Sequence, residues 1–347
     1  MTSVGDRLRS LIVECGPIPF DDFMEIALYG EGGFFTSGPL RSAATGDFLT
    51  SPEVSPWFGR TIGRYLAETV APRRIVEVGA GSGSLLESML PEVGEDLEVW
   101  AVEASPMARA ALADLVVPER IVAGLAELPD SGVDAIVANE LIDNLPVALA
   151  VRKGTGWVEH AVAATGAVFE FVEVEARPGV VEWADQFGGQ VAEGGIVEVQ
   201  LQATEWLRRA LEIVDSGLIV LIDYGGTVED LEPRRQQGTL RTYRGHHLGP
   251  DPLLEPGETD ITVDVNFTAL QMVAEAAGAK VSLLRQDDFL SRWGLREAVR
   301  DMKHRELDAA RAGDTMRQLE IRTERIAAET LLHPRGLGDF RVLLAQV

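Results

Sequence analysis

The fold is decided by the stretch Arg74-Ile75-Val76-Glu77-Val78-Gly79-Ala80-Gly81-Ser82-Gly83-Ser84-Leu85-Leu86. Its apolar, β-branched start is typical of a buried strand, and it leads into a loop with glycine at every second position, followed by a helical segment. Backbone N–H groups at the start of a helix bind polar or anionic groups, and glycine lets a ligand approach the backbone closely. The stretch therefore predicts a strand, a loop and a helix that hold a nucleotide-like ligand.

The glycine spacing separates two classes of nucleotide-binding loop. In the dinucleotide fingerprint the last two glycines are three residues apart, whereas Gly81 and Gly83 are only two apart. With Glu77 two residues before Gly79, the pattern acid-x-G-x-G-x-G resembles the first motif of class I S-adenosylmethionine (SAM) methyltransferases. The bare pattern is moderately specific, so a dinucleotide-dependent oxidoreductase and a loop that binds nothing remain alternatives.

Composition and charge narrow the classes of function. The chain has 347 residues, 46% of them hydrophobic, and a formal net charge of −24. Such an acidic surface repels nucleic acid and attracts a basic protein substrate, although acidity can also serve solubility alone. No apolar stretch approaches the ~20 residues of a membrane span. With Cys15 as the single cysteine and no recognisable leader at the N-terminus, a cytoplasmic protein is expected, and a homodimer is possible.

Metal-dependent and triad-based hydrolytic chemistry are poorly supported. His246 and His247 are adjacent, so one helix face cannot present both, and no further ligand cluster surrounds them. The G-x-S-x-G pattern of a nucleophile elbow is missing from the sequence, since Ser82 belongs to the glycine loop. No metal site is predicted.

Strands and helices alternate after the glycine loop, and this predicts a doubly wound parallel sheet. Short alternating apolar segments over residues 148–174 favour an antiparallel insertion. The predicted fold class is α/β, a Rossmann-like class I SAM-methyltransferase sheet with an N-terminal helical cap and a β-rich insertion. The expected division is a cap with a clamp loop at residues 1–70 and a core at 71–347, with the insertion at about 148–200.

Polar residues at predicted strand ends supply candidate cofactor contacts. Glu103 lies 20 residues beyond Gly83, where a carboxylate can accept both ribose hydroxyls. Glu127 follows the next strand, where such folds often hold the adenine amino group, although a solvated loop acid is an equal alternative. The polar loop before the core is a candidate ligand clamp or an ordinary turn. The cofactor is therefore assigned to Gly46, Asp47, Thr50, Ser51, Glu77, Gly79, Gly81, Gly83, Glu103, Glu127 and Asn139.

Acids at the ends of the fourth and fifth strands are candidates for catalysis. A guanidinium stays protonated at neutral pH, and paired carboxylates would orient it bidentately and offset its charge. Glu140, with Asp143 or Asp223, can supply this clamp, and Asn139 lies beside it. The catalytic assignment is Glu140, Asp223 and Asn139, against the alternative that Asn139-Glu140 is only a structural helix start.

Several longer stretches resemble one known family, the MidA / DUF185 methyltransferases. The matching stretches, in consistent order over about residues 17–345, include Gly46-Asp47-Phe48-x-Thr50-Ser51-Pro52-Glu53, the Glu77–Gly83 loop, Val102-Glu103-x-Ser105, Ala138-Asn139-Glu140-x-x-Asp143-x-Leu145-Pro146-Val147, Ile222-Asp223-Tyr224-Gly225 and Asp264-Val265-Asn266-Phe267. The departures are Phe34-Phe35 in place of two tyrosines, Asn144 in place of a small residue, and a final segment, 338–343, that only loosely resembles the closing strand of the family.

The resemblance implies SAM as cofactor and methylation of arginine on a partner protein, since the mitochondrial members are arginine methyltransferases needed for assembly of respiratory complex I. A subunit of a respiratory complex is therefore one candidate partner. A non-catalytic SAM-binding assembly factor is the alternative function.

Overall fold

The computed structural model describes residues 3–38, 50–244 and 247–347. The strands in these ranges are β1 (Ile18–Pro19), β2 (Arg74–Val78), β3 (Glu98–Val102), β4 (Ile121–Val122), β5 (Val133–Asn139), β6 (Ala148–Lys153), β7 (Gly156–Thr165), β8 (Val168–Glu175), β9 (Ile196–Val199), β10 (Val214–Asp223), β11 (Gly225–Gly226), β12 (Arg241–Arg244), β13 (His247–Leu248), β14 (Asp260–Thr262), β15 (Val265–Asn266), β16 (Lys280–Arg285) and β17 (Arg341–Gln346).

The α-helices in the same ranges are α1 (Val4–Cys15), α2 (Phe20–Tyr29), α3 (Ser51–Val54), α4 (Trp57–Thr69), α5 (Ser84–Val93), α6 (Pro106–Leu112), α7 (Pro178–Phe187), α8 (Leu201–Ile213), α9 (Val228–Leu231), α10 (Phe267–Ala276), α11 (Gln286–Arg292), α12 (Leu295–Arg311) and α13 (Thr315–Leu331). Among them, none combines the length and the apolar content that crossing a membrane requires.

A seven-stranded sheet of described residues forms the centre of the molecule, in the order β16-β17-β10-β5-β2-β3-β4. Strands β4, β3, β2, β5 and β10 run parallel, and β17 is antiparallel to both β10 and β16. From β2 the chain builds outward to β3 and β4, then returns to add β5 on the other side. Open α/β sheets bind ligands at such a switch point, beyond the carboxyl ends of the strands.

Helices cover both faces of this sheet because successive strand residues point to opposite sides. Ile75 packs in the cluster that includes α4, α5 and α11–α13, whereas its neighbour Val76 packs with α8 and α10. Burial on both faces explains why β5 and β10 contain continuous apolar runs, at 135–138 and 218–222, rather than alternating patterns. The doubly wound sheet predicted from the sequence is confirmed.

A second sheet is antiparallel and has the order β1-β7-β6-β9, with β8 paired to β7. Helices α1 and α2 share a hydrophobic cluster with it, in which Leu8 and Phe23 meet Leu149 and Val162. Arg177 adds an ion pair to Asp21 on α2 and another to Glu159 on β7. The β-rich insertion of the predicted fold class is thus present beside the N-terminal helices, while the exact domain boundaries stay a prediction.

The segment 225–265, expected to be rich in loops, contains short strands where the structure describes it. β12 pairs with β13 and β14, and β11 pairs with β15. These pairs bring Arg241 and Asp264 next to the end of β10. The segment therefore forms a wall beside the carboxyl edge of the central sheet.

Candidate active site

A cavity of about 510 Å³ lies at the switch point, beyond the ends of β2, β3 and β5. Its floor is the glycine loop and the ends of the strands, and its sides come from α8 and from Tyr29 and Phe35 of the N-terminal segment. Thr50 and Pro52 also line it. The sequence-predicted residues that line it are Thr50, Glu77, Gly79, Gly81, Glu103, Asn139 and Glu140.

The glycine loop adopts backbone angles that L side chains rarely take. Gly79, Gly81 and Gly83 have φ values of +75°, +52° and +84°. A Cβ at Gly79 would lie 3.2 Å from Leu141 Cδ1, and one at Gly83 would lie 2.6 Å from Leu115 Cδ1. Gly83 caps α5 and does not line the cavity, so its conformation positions the helix, whereas Gly79 and Gly81 line the cavity.

Glu103 joins the end of β3 to the glycine loop. Its carboxylate accepts the Gly81 N–H at 2.8 Å and the Ser105 N–H at 2.7 Å. Burial raises the pKa of Glu103, and these two hydrogen bonds oppose that rise. Burial, helped by the charge of Glu103, also raises the pKa of Glu77 well above its ordinary range.

Two buried acceptor atoms in the cavity have no hydrogen-bond partner among the described residues. They are Glu77 Oε2 and Asn139 Oδ1. An unsatisfied buried acceptor is costly, so a ligand that brings N–H or O–H donors would stabilise this site. The amino group and hydroxyls of SAM are donors of this kind, and the residues present therefore fit that cofactor.

Glu127 lies outside the cavity, contrary to the adenine contact expected for it. It is exposed, and its carboxylate accepts the Ala123 N–H at 3.1 Å. Ala123, Gly124 and Leu125 line the cavity instead. The sequence indicated a loop that lines the cavity but not which of its residues do so, because a turn after a two-residue strand has no periodicity to follow.

The part of the clamp loop that the structure describes begins at Thr50, and it lies next to the cavity. Ser51 is buried, and its N–H donates to Glu140 Oε1 at 3.1 Å. Thr50 is held by Glu53, whose carboxylate accepts the Thr50 N–H at 3.1 Å. Gly46 and Asp47 lie outside the described residues.

Glu140 occupies a strained position directly after β5. Its φ is +52°, which is unusual for a residue with a Cβ and is typical of functional sites. The Asn139 side chain donates to Glu140 Oε1 at 3.0 Å, and the Glu140 N–H donates to the Ile222 carbonyl oxygen at 2.8 Å. Burial raises the pKa of Glu140 to about 7, with the hydrogen bond from Ser51 opposing the rise.

Asp223 is buried but lines neither of the two cavities described here, which corrects its placement next to a methyl acceptor. Its Oδ2 atom accepts the N–H groups of Ile142 and Asp143 at 3.0 and 3.2 Å, and its Oδ1 atom accepts that of Tyr224 at 2.9 Å. These bonds fix the turn after β5 against the end of β10. Asp223 therefore positions the site without facing it.

A second cavity of about 370 Å³ adjoins the first, and both are lined by Glu140 and Asn144. Asp143 and Tyr224 face this second cavity, and the Tyr224 hydroxyl donates to Asp143 Oδ2 at 2.5 Å. Arg241 lies with its guanidinium carbon 5.2 Å from the centre of the Tyr224 ring and pairs with Asp264. The second cavity thus combines carboxylate, aromatic and arginine side chains.

Two acids of the second cavity have no cationic partner within the described ranges. Asp264 pairs with Arg234 and Arg241, whereas Glu140 and Asp143 form no such pair. Asp143 Oδ1 is buried and accepts no hydrogen bond from a described residue. Burial raises the pKa of Asp143 to about 6, and the hydrogen bond from Tyr224 opposes the rise.

Four aromatic residues line the two cavities without being predicted from the sequence, namely Tyr29, Phe35, Trp206 and Tyr224. Tyr224 follows Asp223 at a predicted strand end, so its position carried a usable signal. Tyr29 and Phe35 stack 5.5 Å apart, and the Tyr29 hydroxyl donates to the Asn144 carbonyl oxygen at 3.2 Å. Nothing in the local pattern of the first helices indicates that contact, because it joins residues 115 positions apart.

The sheet order, the glycine loop at the end of β2 and the acid at the end of β3 define a Rossmann-like SAM-dependent methyltransferase of class I. The chain belongs to the family described as "Putative S-adenosyl-L-methionine-dependent methyltransferase", whose model matches residues 59–284. The family membership confirms the MidA / DUF185 resemblance. SAM is the methyl donor.

Relatives and solved structures agree with this membership. The chain is 27% identical to "Protein arginine methyltransferase NDUFAF7, mitochondrial" of Danio rerio, over 84% of this chain and 77% of the relative. It is 25% identical to "Protein arginine methyltransferase NDUFAF7 homolog, mitochondrial" of Drosophila melanogaster, over 80% of this chain and 71% of the relative. A COG1565 superfamily member from Burkholderia thailandensis, bound to S-adenosyl-homocysteine, superposes with a TM-score of 0.86 at 27% identity, over 99% of this chain and 92% of that one.

Proposed function

We propose that this methyltransferase transfers a methyl group to an arginine side chain of a partner protein. The observation that carries the proposal is the meeting of the two cavities at Glu140, next to Asp143 and Tyr224. The first cavity contains unsatisfied acceptors that suit the donor groups of the cofactor. The second presents the carboxylates of Glu140 and Asp143, neither of which forms an ion pair with a described residue. A guanidinium is the natural occupant of such a pair of acids.

The two carboxylates divide the work of binding and proton removal. Glu140 Oε2 and Asp143 Oδ1 are the oxygens without a described partner, and together they can accept the N–H groups of a guanidinium. When bound, SAM supplies the methyl group from its sulfonium. As a guanidinium nitrogen forms its new N–C bond, it loses a proton, and Glu140 accepts that proton. The rest of the rate enhancement comes from holding the methyl donor and the acceptor nitrogen in line.

The roles of the cofactor residues belong to the same proposal. Glu103 accepts from the ribose hydroxyls, and Gly79 and Gly81 let the cofactor approach the backbone. Glu77 and Asn139 supply acceptors for its donor groups. Thr50 closes the side of the cavity, and Ser51 contributes by donating its N–H to Glu140. Gly46 and Asp47 are assigned to the same clamp loop from the sequence alone. Gly83 is assigned a conformational role, as the cap of α5.

The printed names of the relatives support arginine as the acceptor, since several are called protein arginine methyltransferases. Those names also call the relatives mitochondrial. For this chain, the cytoplasmic location, the homodimer and a respiratory-complex subunit as partner stay predictions. A non-catalytic assembly role is the second candidate, and turnover of SAM separates the two.

The test is Glu140→Gln, with cell lysate from a strain lacking the gene as the acceptor. Loss of the carboxylate should lower the production of S-adenosylhomocysteine by about 100-fold or more, because general-base and charge contributions are of that size. Binding of S-adenosylhomocysteine, measured by calorimetry, should stay within about 3-fold, because the cofactor keeps its other contacts.

Glu119→Gln, at an exposed glutamate away from both cavities, is the matched control. Mass spectrometry of the lysate proteins should find the new methyl groups on arginine. Full activity in Glu140→Gln, or methyl groups only on other residue types, would contradict the proposal.

A further inference from the structure

Trp206 differs from the other tryptophans in making no ring contact or hydrogen bond with the part of the chain that the structure describes. The sequence contains six tryptophans. Five of them have a ring contact or a hydrogen bond in the described structure, namely Trp57, Trp100, Trp157, Trp183 and Trp293. Within residues 3–38, 50–244 and 247–347, Trp206 has neither an aromatic or cationic ring contact nor a hydrogen bond. An indole that offers a free face to a cavity is suited to a flat ligand.

The position of Trp206 on α8 turns it toward the cofactor cavity. Gln202, Glu205, Trp206 and Arg209 share the helix face that lines this cavity. The opposite face, including Ala203 and Leu207, is buried in the core. Trp206 is half-buried, and it packs against the same apolar cluster as Leu125, Leu141 and Leu145. Its indole is therefore held in place on one side and accessible on the other.

The two ends of the cavity are chemically distinct. The end shared with the second cavity carries Glu140 and Asn144, and the reactive sulfonium must lie there to reach an acceptor. Tyr29 belongs to this end, since its hydroxyl donates to the Asn144 carbonyl oxygen. Beyond Glu103 lies the other end, at Ala123–Leu125, where the adenosine part of the cofactor must extend. This end offers the apolar side chain of Leu125 but no aromatic ring of its own loop.

We propose that Trp206 is a cofactor-binding residue whose indole stacks on the adenine ring of SAM. It forms one wall of an adenine subsite, and Leu125 contributes to the other. A purine buries a large flat surface between such groups, and a stacked aromatic ring typically strengthens binding of a base by roughly 5- to 100-fold. The residue thus determines how tightly the adenosine part is held, without touching the methyl group.

The test combines calorimetry with tryptophan fluorescence, using S-adenosylhomocysteine as the probe. Trp206→Ala should weaken its binding by about 10-fold or more. Trp206→Phe keeps a stacking face and should weaken binding by no more than about 3-fold, while removing most of the quenching of tryptophan emission that the ligand causes. The Phe variant keeps the experiment informative if the Ala variant folds poorly.

Trp157→Phe is the matched control. Its indole N–H donates to Asp185 at 2.7 Å and its ring faces Arg152, on the second sheet. This variant should keep both the affinity and the quenching. Saturating adenosine should quench the Trp206 emission, whereas S-methylmethionine, which lacks the base, should not.

Unchanged affinity in Trp206→Ala, undiminished quenching in Trp206→Phe, or quenching by S-methylmethionine alone would each overturn the assignment. No acceptor protein is needed for these measurements, so the result is independent of whether the acceptor is arginine.

Discussion

At the scale of a single residue, Glu140 makes the stability of the protein depend on pH. Burial raises its pKa from the ordinary 4.5 to about 7, so between these values the folded protein binds a proton that the unfolded chain has lost. The free energy of unfolding must therefore fall as pH rises through this window. The variant Glu140→Gln lacks this titrating group. Between pH 4.5 and pH 7, the decrease in its free energy of unfolding should be smaller than that of the wild type by about 3 kcal/mol.

Urea unfolding of both proteins at several pH values measures this difference directly. Asp143 and Asp223 remain in the variant, so part of the pH dependence is expected to persist. Glu119→Gln, at an exposed glutamate, should follow the wild type at every pH. Parallel curves for Glu140→Gln and the wild type would show that Glu140 ionises normally.

At the residue scale, some site residues could be predicted from the sequence and others could not. Strand ends are predictable from apolar runs, so Glu103, Asn139 and Glu140 were placed at the cavity from the sequence. Which side chain at a strand end faces a cavity depends on the geometry of the turn, and the sequence does not reveal that geometry. The sequence therefore predicts that Asp223 faces the acceptor, whereas in the structure backbone N–H groups occupy its carboxylate. Trp206 was missed because a tryptophan at helical spacing predicts a core position equally well.

At the scale of elements, the glycine loop is held in place by the packing of α4 on α5. Gly59 and Gly63 lie one turn apart on α4, and Cβ atoms there would lie 2.9 Å from the Leu85 carbonyl oxygen and 2.5 Å from the Met89 carbonyl oxygen. Backbone atoms cannot move as a flexible side chain can, so Gly63→Ala must push α5 away. We expect a loss of about 1–3 kcal/mol in the free energy of unfolding.

Because α5 begins at the glycine loop, the same variant should weaken S-adenosylhomocysteine binding in calorimetry. Gly179→Ala is the matched control, since this helical glycine has a single neighbour at 4.0 Å and an ordinary φ. Alanine is favoured over glycine within helices, so the control should be neutral or slightly more stable. Equal stability of Gly63→Ala and the wild type would mean that the α4–α5 contact is adaptable.

At the scale of the whole molecule, the layered architecture was predictable because it follows from alternation of apolar strands and helices. The packing of the second sheet and the N-terminal helices could not be predicted from the sequence, because Arg177 and Leu8 contact residues that are far away in the sequence. The second cavity depends on the turn after β5, on the segment 225–265 and on the chain just before β17. It was predicted only as a pair of acids, without its aromatic wall at Tyr224.

Ligand-induced stabilisation tests the whole molecule as a receptor for one class of cofactor. A ligand that binds only the folded state at 100 times its Kd raises the free energy of unfolding by about 2.7 kcal/mol. S-adenosylhomocysteine should therefore raise the Tm by about 4 °C, while NADH should shift it by less than about 1 °C, because the glycine spacing does not suit a dinucleotide. Glu103→Ala should lose most of the shift, because the carboxylate at the end of β3 lines the cavity proposed for the cofactor. Glu127→Ala should keep it, because that side chain lies outside the cavity. Equal shifts for the two ligands, or loss of the shift in Glu127→Ala but not in Glu103→Ala, would contradict this arrangement of the cofactor site.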